Sequence, residues 1–204
     1  GFDVGTSADL SVNAVSIQSD GKVVVVGDFA HFNGKPLSGI ARLNPDGSLD
    51  ESFNPGVGSN DSVRLVEIQE DGRILVGGFF TEFNGVMRIR VARLNQDGSL
   101  DESFDVGAGA NGTVYSMALQ SDGKILVGGS FSTFNNLNRS GIVRLNPDGS
   151  VDTSINFGTG ANGSVLDIAV LPDYKILIGG GFTLFDGLER EYFTQLHGGI
   201  IEGQ

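Results

Sequence analysis

Residues 121–136 read SDGKILVGGSFSTFNN, and the reading of this string decides the fold. Asp122-Gly123 lies between two apolar runs, Val114-Tyr115-Ser116-Met117-Ala118-Leu119 and Ile125-Leu126-Val127. Asp-Gly between extended runs is a strong hairpin signal, and the two-residue type I′ turn it predicts needs φ > 0 at both central residues. The run Ile125-Leu126-Val127 places apolar side chains on both faces of a strand, so its sheet must be covered on both sides. The string also recurs. It stands 51 residues earlier as EDGRILVGGFFTEFNG (70–85), before that as SDGKVVVVGDFAHFNG (19–34), and later as PDYKILIGGGFTLFDG (172–187).

Working outward, every other landmark keeps the same 51-residue step without an insertion. PDGSLD (45–50) returns as QDGSLD (96–101) and PDGSVD (147–152), and GVGSND (56–61) as GAGANG (107–112) and GTGANG (158–163). The chain of 204 residues is therefore one unit written four times, at roughly 1–51, 52–102, 103–153 and 154–204. Each unit reads as two strands joined by Asp-Gly, a loop of about ten residues carrying F-x-x-F, a third strand (GIARLN, RVARLN, GIVRLN, FTQLHG) and a weaker fourth in SLDESF. No segment sustains a 3.6-residue apolar period, so helix is not expected. A fixed period near 50 with short strands predicts an all-β fold: a β-propeller of four four-stranded repeats, as a four-bladed ring or a segment of a larger propeller, forming one domain over 1–204. Gly1 falls at the phase of Ser52, so GFDV is expected to complete the last sheet. The columns Phe29, Phe80, Phe131, Phe182 and Phe32, Phe83, Phe134, Phe185 are expected to fill the gaps between sheets.

The spacing G-x-G-x-x-G in GAGANG is that of a dinucleotide-binding loop, which requires a strand before it and a helix after it. Here TVYSMALQ follows, a strand, so the glycines are read as the turn entering each unit. Gly128-Gly129 and its counterparts end the second strand and are read as marks of a bulge or a close backbone approach. Asn60, Asn111, Asn138 and Asn162 stand in N-x-[ST] sequons, and three of them share one column of the turn, so they too are read as turn residues.

Composition bounds the function. The formal charge of −12, with no basic block, argues against a nucleic-acid partner. No run is long and apolar enough to span a bilayer, so membrane insertion is not expected. Cysteine is absent, and only His31 and His197 are present, so a thiolate or zinc site is not expected. A chain opening GFDV is expected to be part of a longer one, with flanking domains or further repeats. No catalytic residue is assigned. The acidic turns hold Asp46 and Asp50, Asp97 and Asp101, and Asp148 and Asp152, whose oxygens could bind Ca²⁺, although Asp-Gly turn chemistry explains them without a cofactor. Arg42, Arg93 and Arg144 share a column inside the third strand, replaced by Gln195 in the last unit. They read as partners of Asp50, Asp101 and Asp152, or else as donors to an anionic ligand. Arg88, Arg139 and Arg190 lie in the long loop and are candidates for a binding rim.

The pattern DGKILVGG followed by RLNPDGS, fullest at 104–154, resembles the delta-60 repeat, a β-propeller repeat of large bacterial secreted and surface proteins with relatives in phage tails. The resemblance covers the whole chain and implies no shared catalytic residues. Unit four departs at Tyr174, Gln195 and HGGIIEGQ, and unit one at Ser7, Asp9, Leu10 and Val26, as terminal units do. The expectation is a non-enzymatic scaffold or recognition module, extracellular, on a cell surface or on a virion, binding a glycan or a protein surface through its loops. The alternative is a carbohydrate-active hydrolase or lyase using Asp50, Asp101 and Asp152.

Overall fold

The computed structural model describes residues 1–197. It is all β-structure, with no helix among the described residues. Each repeat forms one antiparallel three-stranded sheet with its strands in chain order. The first strands are Val12–Ile17, Val63–Ile68, Val114–Leu119 and Val165–Val170. The second are Val23–Gly27, Ile74–Gly78, Ile125–Gly129 and Lys175–Gly180, and the third Ile40–Leu43, Val91–Leu94, Ile142–Leu145 and Phe193–His197. The Phe-bearing loop folds into a minute hairpin of its own, such as Thr133–Phe134 with Leu137–Asn138.

The expected fourth strand is corrected. In each of the first three repeats it shrinks to a single bridge, Leu43 to Leu49, Leu94 to Leu100 and Leu145 to Val151. The cause is the aspartate that follows. Asp50 Oδ1 accepts hydrogen bonds from the Ser52 N–H at 3.0 Å and the Ser52 hydroxyl at 2.6 Å, which turns the chain away from the sheet. The opening GFDV also sits elsewhere than expected: the Asp3 N–H donates to the Asp46 carbonyl, placing it on the first repeat's own turn.

The hairpins form at Asp-Gly, but not as type I′ turns. Gln18 N–H donates to the Lys22 carbonyl and Gly21 N–H to the Gln18 carbonyl, enclosing a three-residue loop in which Gly21 alone has positive φ (83°). Asp20 keeps negative φ because its carboxylate accepts the Lys22 N–H at 3.1 Å. In the fourth repeat Tyr174 occupies the glycine's place with φ of 62°.

The chain divides into two compact units, Gly1–Gly109 and Ala110 onward. In the first, Val24, Val26 and Ile40 of repeat one pack with Val63, Val66, Phe80 and Phe83 of repeat two. Phe29 and Phe32 pack with Val25, Ala41 and Leu43 of their own repeat. In the second unit, Leu126 and Ile142 of repeat three pack with Val165, Ile168, Phe182 and Phe185 of repeat four. Each Phe pair meets edge to face, with centroids 5.6 Å apart for Phe29–Phe32, 5.9 Å for Phe80–Phe83, 5.8 Å for Phe131–Phe134 and 6.4 Å for Phe182–Phe185, the arrangement that the ring quadrupole favours.

Candidate functional site

The aspartates and arginines that the sequence singles out are mostly bound to each other. Arg42 Nε donates to Asp50 Oδ2 at 2.7 Å, Arg93 Nε to Asp101 Oδ2 at 2.8 Å and Arg144 Nε to Asp152 Oδ2 at 2.7 Å, all six residues being buried. Lys22 and Lys124 add a second cation to Asp50 and Asp152, each at 2.8 Å. The guanidinium groups of Arg42 and Arg93 lie 4.6 Å from the ring centres of Phe53 and Phe104. Burial alone would raise the carboxyl of Asp50, but Lys22, Ser52 and Arg42 outweigh it and hold it well below the ordinary range. Asp152 is held down likewise by Lys124, Ser154 and Arg144, and Asp101 by Ser103 and Arg93. A carboxylate kept ionised and fastened to arginine is poorly placed to act as a general acid.

Asp46, Asp97 and Asp148 are exposed, and each accepts both the N–H and the hydroxyl of the serine two residues on. Among the described residues no three carboxylates or histidines gather in a group that could hold a metal ion. Arg88, Arg139 and Arg190 each turn back to their preceding carbonyl, at 3.0, 2.8 and 2.7 Å. Arg190 is exposed, whereas Arg88 and Arg139 are half-buried.

The G-x-G-x-x-G segment has a mechanical role. Asn111 Oδ1 accepts the N–H groups of Ser132 and Thr133 at 2.9 and 3.0 Å, and its Nδ2 donates to the Ser132 hydroxyl, pinning the Phe-bearing loop. Asn60 and Asn162 do the same, and Asp9 does so with its carboxylate in repeat one.

A different set of residues, missed by sequence reasoning, builds a cleft. Every first strand carries a bulge near its start, because Val12 pairs with Gly27 and Ala14 with Val26, leaving Asn13 as the extra residue. The extra residues of the other repeats are Arg64, Tyr115 and Leu166. A bulge re-aims its side chain and lets one column vary while the sheet is kept. The glycine opposite is required, since a Cβ on Gly129 would lie 2.1 Å from the Thr113 carbonyl oxygen.

In the first unit these bulges border a cleft of about 490 Å³ lined by Asp28, Ser38, Asn60, Asp61, Arg64 and Phe79, among others. Asp28 Oδ1 accepts from Asn13 Nδ2 at 2.8 Å and from the Ser62 hydroxyl. The Ser62 bond, then Asn13 and the nearby Arg64, hold the Asp28 carboxyl below its ordinary value against the opposing effect of burial. Arg64 lies over the Phe79 ring at 5.1 Å. The cleft thus sets a fixed anion beside a cation carried on an aromatic face, with amide and hydroxyl groups around them. A signal existed in the sequence: the columns of residues 13, 28 and 61 hold a different residue type in nearly every unit, against a background of near-identity.

Comparison with known proteins bears on fold more than on chemistry. The structure is similar to the WD40 beta propeller domain of Doa1 (TM-score 0.57, 16% identity, 84% of this chain and 48% of that one). It is similar to the extracellular domain of BT4673 from B. thetaiotaomicron (0.55, 16%, 89% and 22%) and to a gluconolactonase from Xanthomonas campestris (0.53, 17%, 87% and 60%). The chain spans about half or less of the length of the first two, and these propellers include enzymes and non-enzymes alike. No curated protein matches the sequence. A family model, "Domain of unknown function (DUF5122) beta-propeller", matches residues 18–53, 69–104 and 120–154, one stretch in each of the first three repeats and together more than half of the chain. Sequence, repeat and fold agree, and the chain belongs to the DUF5122 beta-propeller family.

Proposed function

We propose that this protein is a non-enzymatic recognition module, a delta-60-type propeller or propeller segment within a larger extracellular, cell-surface or virion protein, and that it binds glycan through the cleft at the strand bulges. The observation that carries this reading is the cleft itself. Asp28 and Asp61 offer acceptors and Arg64 a donor around a space of about 490 Å³, a size and polarity suited to sugar hydroxyls. The aspartates around which a hydrolase or lyase would be built, Asp50, Asp101 and Asp152, are fastened to arginines, which supports binding over turnover. Arg88, Arg139 and Arg190 stay in this reading as candidate donors on their own loops, and Ca²⁺ has no assigned part.

Screening the intact chain against immobilised oligosaccharides, followed by calorimetry on any that bind, tests the reading. Arg64→Ala is expected to weaken binding about tenfold, the loss of a bond to a charged group, with the melting temperature unchanged because Arg64 is exposed. Binding that is indifferent to Arg64 and to Asp28→Asn would move the site elsewhere. Absence of binding across neutral and acidic sugars would leave a spacer.

A further inference from the structure

Within the cleft of the first unit, the internal hydrogen bonds leave open mostly acceptors. Ser62 ties two carboxylates together: its hydroxyl donates to Asp28 Oδ1, and its N–H donates to Asp61 Oδ1 at 2.6 Å. Asn13 adds a second bond to Asp28 Oδ1, so the Oδ2 atom of each aspartate is left without a hydrogen-bond donor among the described residues. The bonds from Ser62 and Asn13 keep Asp28 ionised. Arg64 is the one cation of the lining, held over the Phe79 ring with no hydrogen bond to a described residue. The wall also holds Ser59, which is 5% exposed and carries a buried, unpartnered hydroxyl. Buried polar groups are nearly always paired, so an orphan here points to a partner outside the chain.

We propose that the glycan taken by this cleft is a cationic amino sugar, its ammonium group received by the open oxygens of Asp28 and Asp61 and a neighbouring hydroxyl oxygen by Arg64. The inference rests on the glycan reading and narrows it. Two carboxylates against one guanidinium give the cleft an excess of negative charge, in a chain whose formal charge is −12. That field draws in an ammonium group and repels a uronic acid. An ammonium offers donors only, which matches acceptors that are charged and open. A lysine side chain brings the same charge, but its stem is apolar up to the nitrogen and gives Arg64 nothing to bind. A sugar ring sets hydroxyl oxygens beside the amine.

Calorimetry of the intact chain with three tetrasaccharides is the test: β-1,4-linked glucosamine, its N-acetylated counterpart, and galacturonate. The glucosamine tetramer is expected to bind about tenfold more tightly than the N-acetylated one, the gain of a hydrogen bond between charged groups, and galacturonate most weakly. Asp61→Asn keeps an oxygen for the Ser62 N–H and should bring the affinities for glucosamine and its N-acetylated form together. Asp61→Gly, which copies Gly112 and Gly163 at this column, is the second variant, and melting temperatures check that both fold. Raising the salt concentration should narrow the same gap in the wild type. Equal affinity for the two hexosamine tetramers, or tighter binding of galacturonate, overturns this inference and leaves the glycan reading standing. So does a preference that survives both variants, or tetralysine binding as tightly as the glucosamine tetramer. Failure of all three sugars to bind overturns both readings.

Discussion

Tyr174 shows how closely single residues are tied to the turn chemistry. It holds φ of 62° where Gly21, Gly72 and Gly123 hold 79–83°, and a side chain in that region costs about 1 kcal/mol relative to glycine. Its own ring is half exposed, and its hydroxyl accepts a long bond of 3.3 Å from the Ser121 hydroxyl. Tyr174→Gly is therefore expected to be neutral or to stabilise by up to about 1 kcal/mol, read from the melting temperature. The arginine–aspartate columns predict the opposite sign. The folded-state pKa of Asp101 is depressed, so its contribution is fully present above the unfolded value of about 3.9 and fades as pH falls below it. Asp101→Asn takes the carboxylate charge away from the buried Arg93 guanidinium and should cost about 3 kcal/mol at neutral pH. Its stability should also fall less steeply below about pH 4 than that of the wild type, as urea midpoints across the acid range would show. A variant with the wild-type acid slope would remove Asp101 from this role.

At the level of the strand and hairpin, the sequence announces most of the structure. Asp-Gly marks the hairpins, and continuous apolar runs such as Ile125-Leu126-Val127 mark sheets covered on both faces; both readings match the structure. The turn type does not follow from the dipeptide, since Asp20 satisfies its carboxylate on the Lys22 N–H at negative φ and glycine alone takes the left-handed position. The fourth strand fails for a similar reason: SLDESF has the length of a strand, but Asp50 captures the Ser52 N–H that a ladder would need. The cleft was less legible still. Arg64 and Phe79 are fifteen positions apart and Asp28 lies in another repeat, so only the packing of two sheets brings them together. The bulge beneath them can be tested. Gly129→Ala puts a methyl against the Thr113 carbonyl and should cost about 2–4 kcal/mol, within the range for backbone strain in a fixed element, measured by denaturant midpoint.

Across the molecule, stability resides between repeats as much as within them. Val63 and Val66 are buried by residues of the repeat before, and Val165 and Ile168 likewise. A peptide of residues 52–102 alone leaves these faces in water and is expected to show no cooperative thermal transition by circular dichroism, whereas the intact chain melts sharply. Because a repeat brings one patch that covers and one that is covered, copying a 51-residue stretch of the gene supplies both halves of a new contact at once. Arrays of this kind can then lengthen or shorten by whole steps during inheritance, while Asn13, Arg64, Tyr115 and Leu166 diverge on bulges that the sheets beneath tolerate.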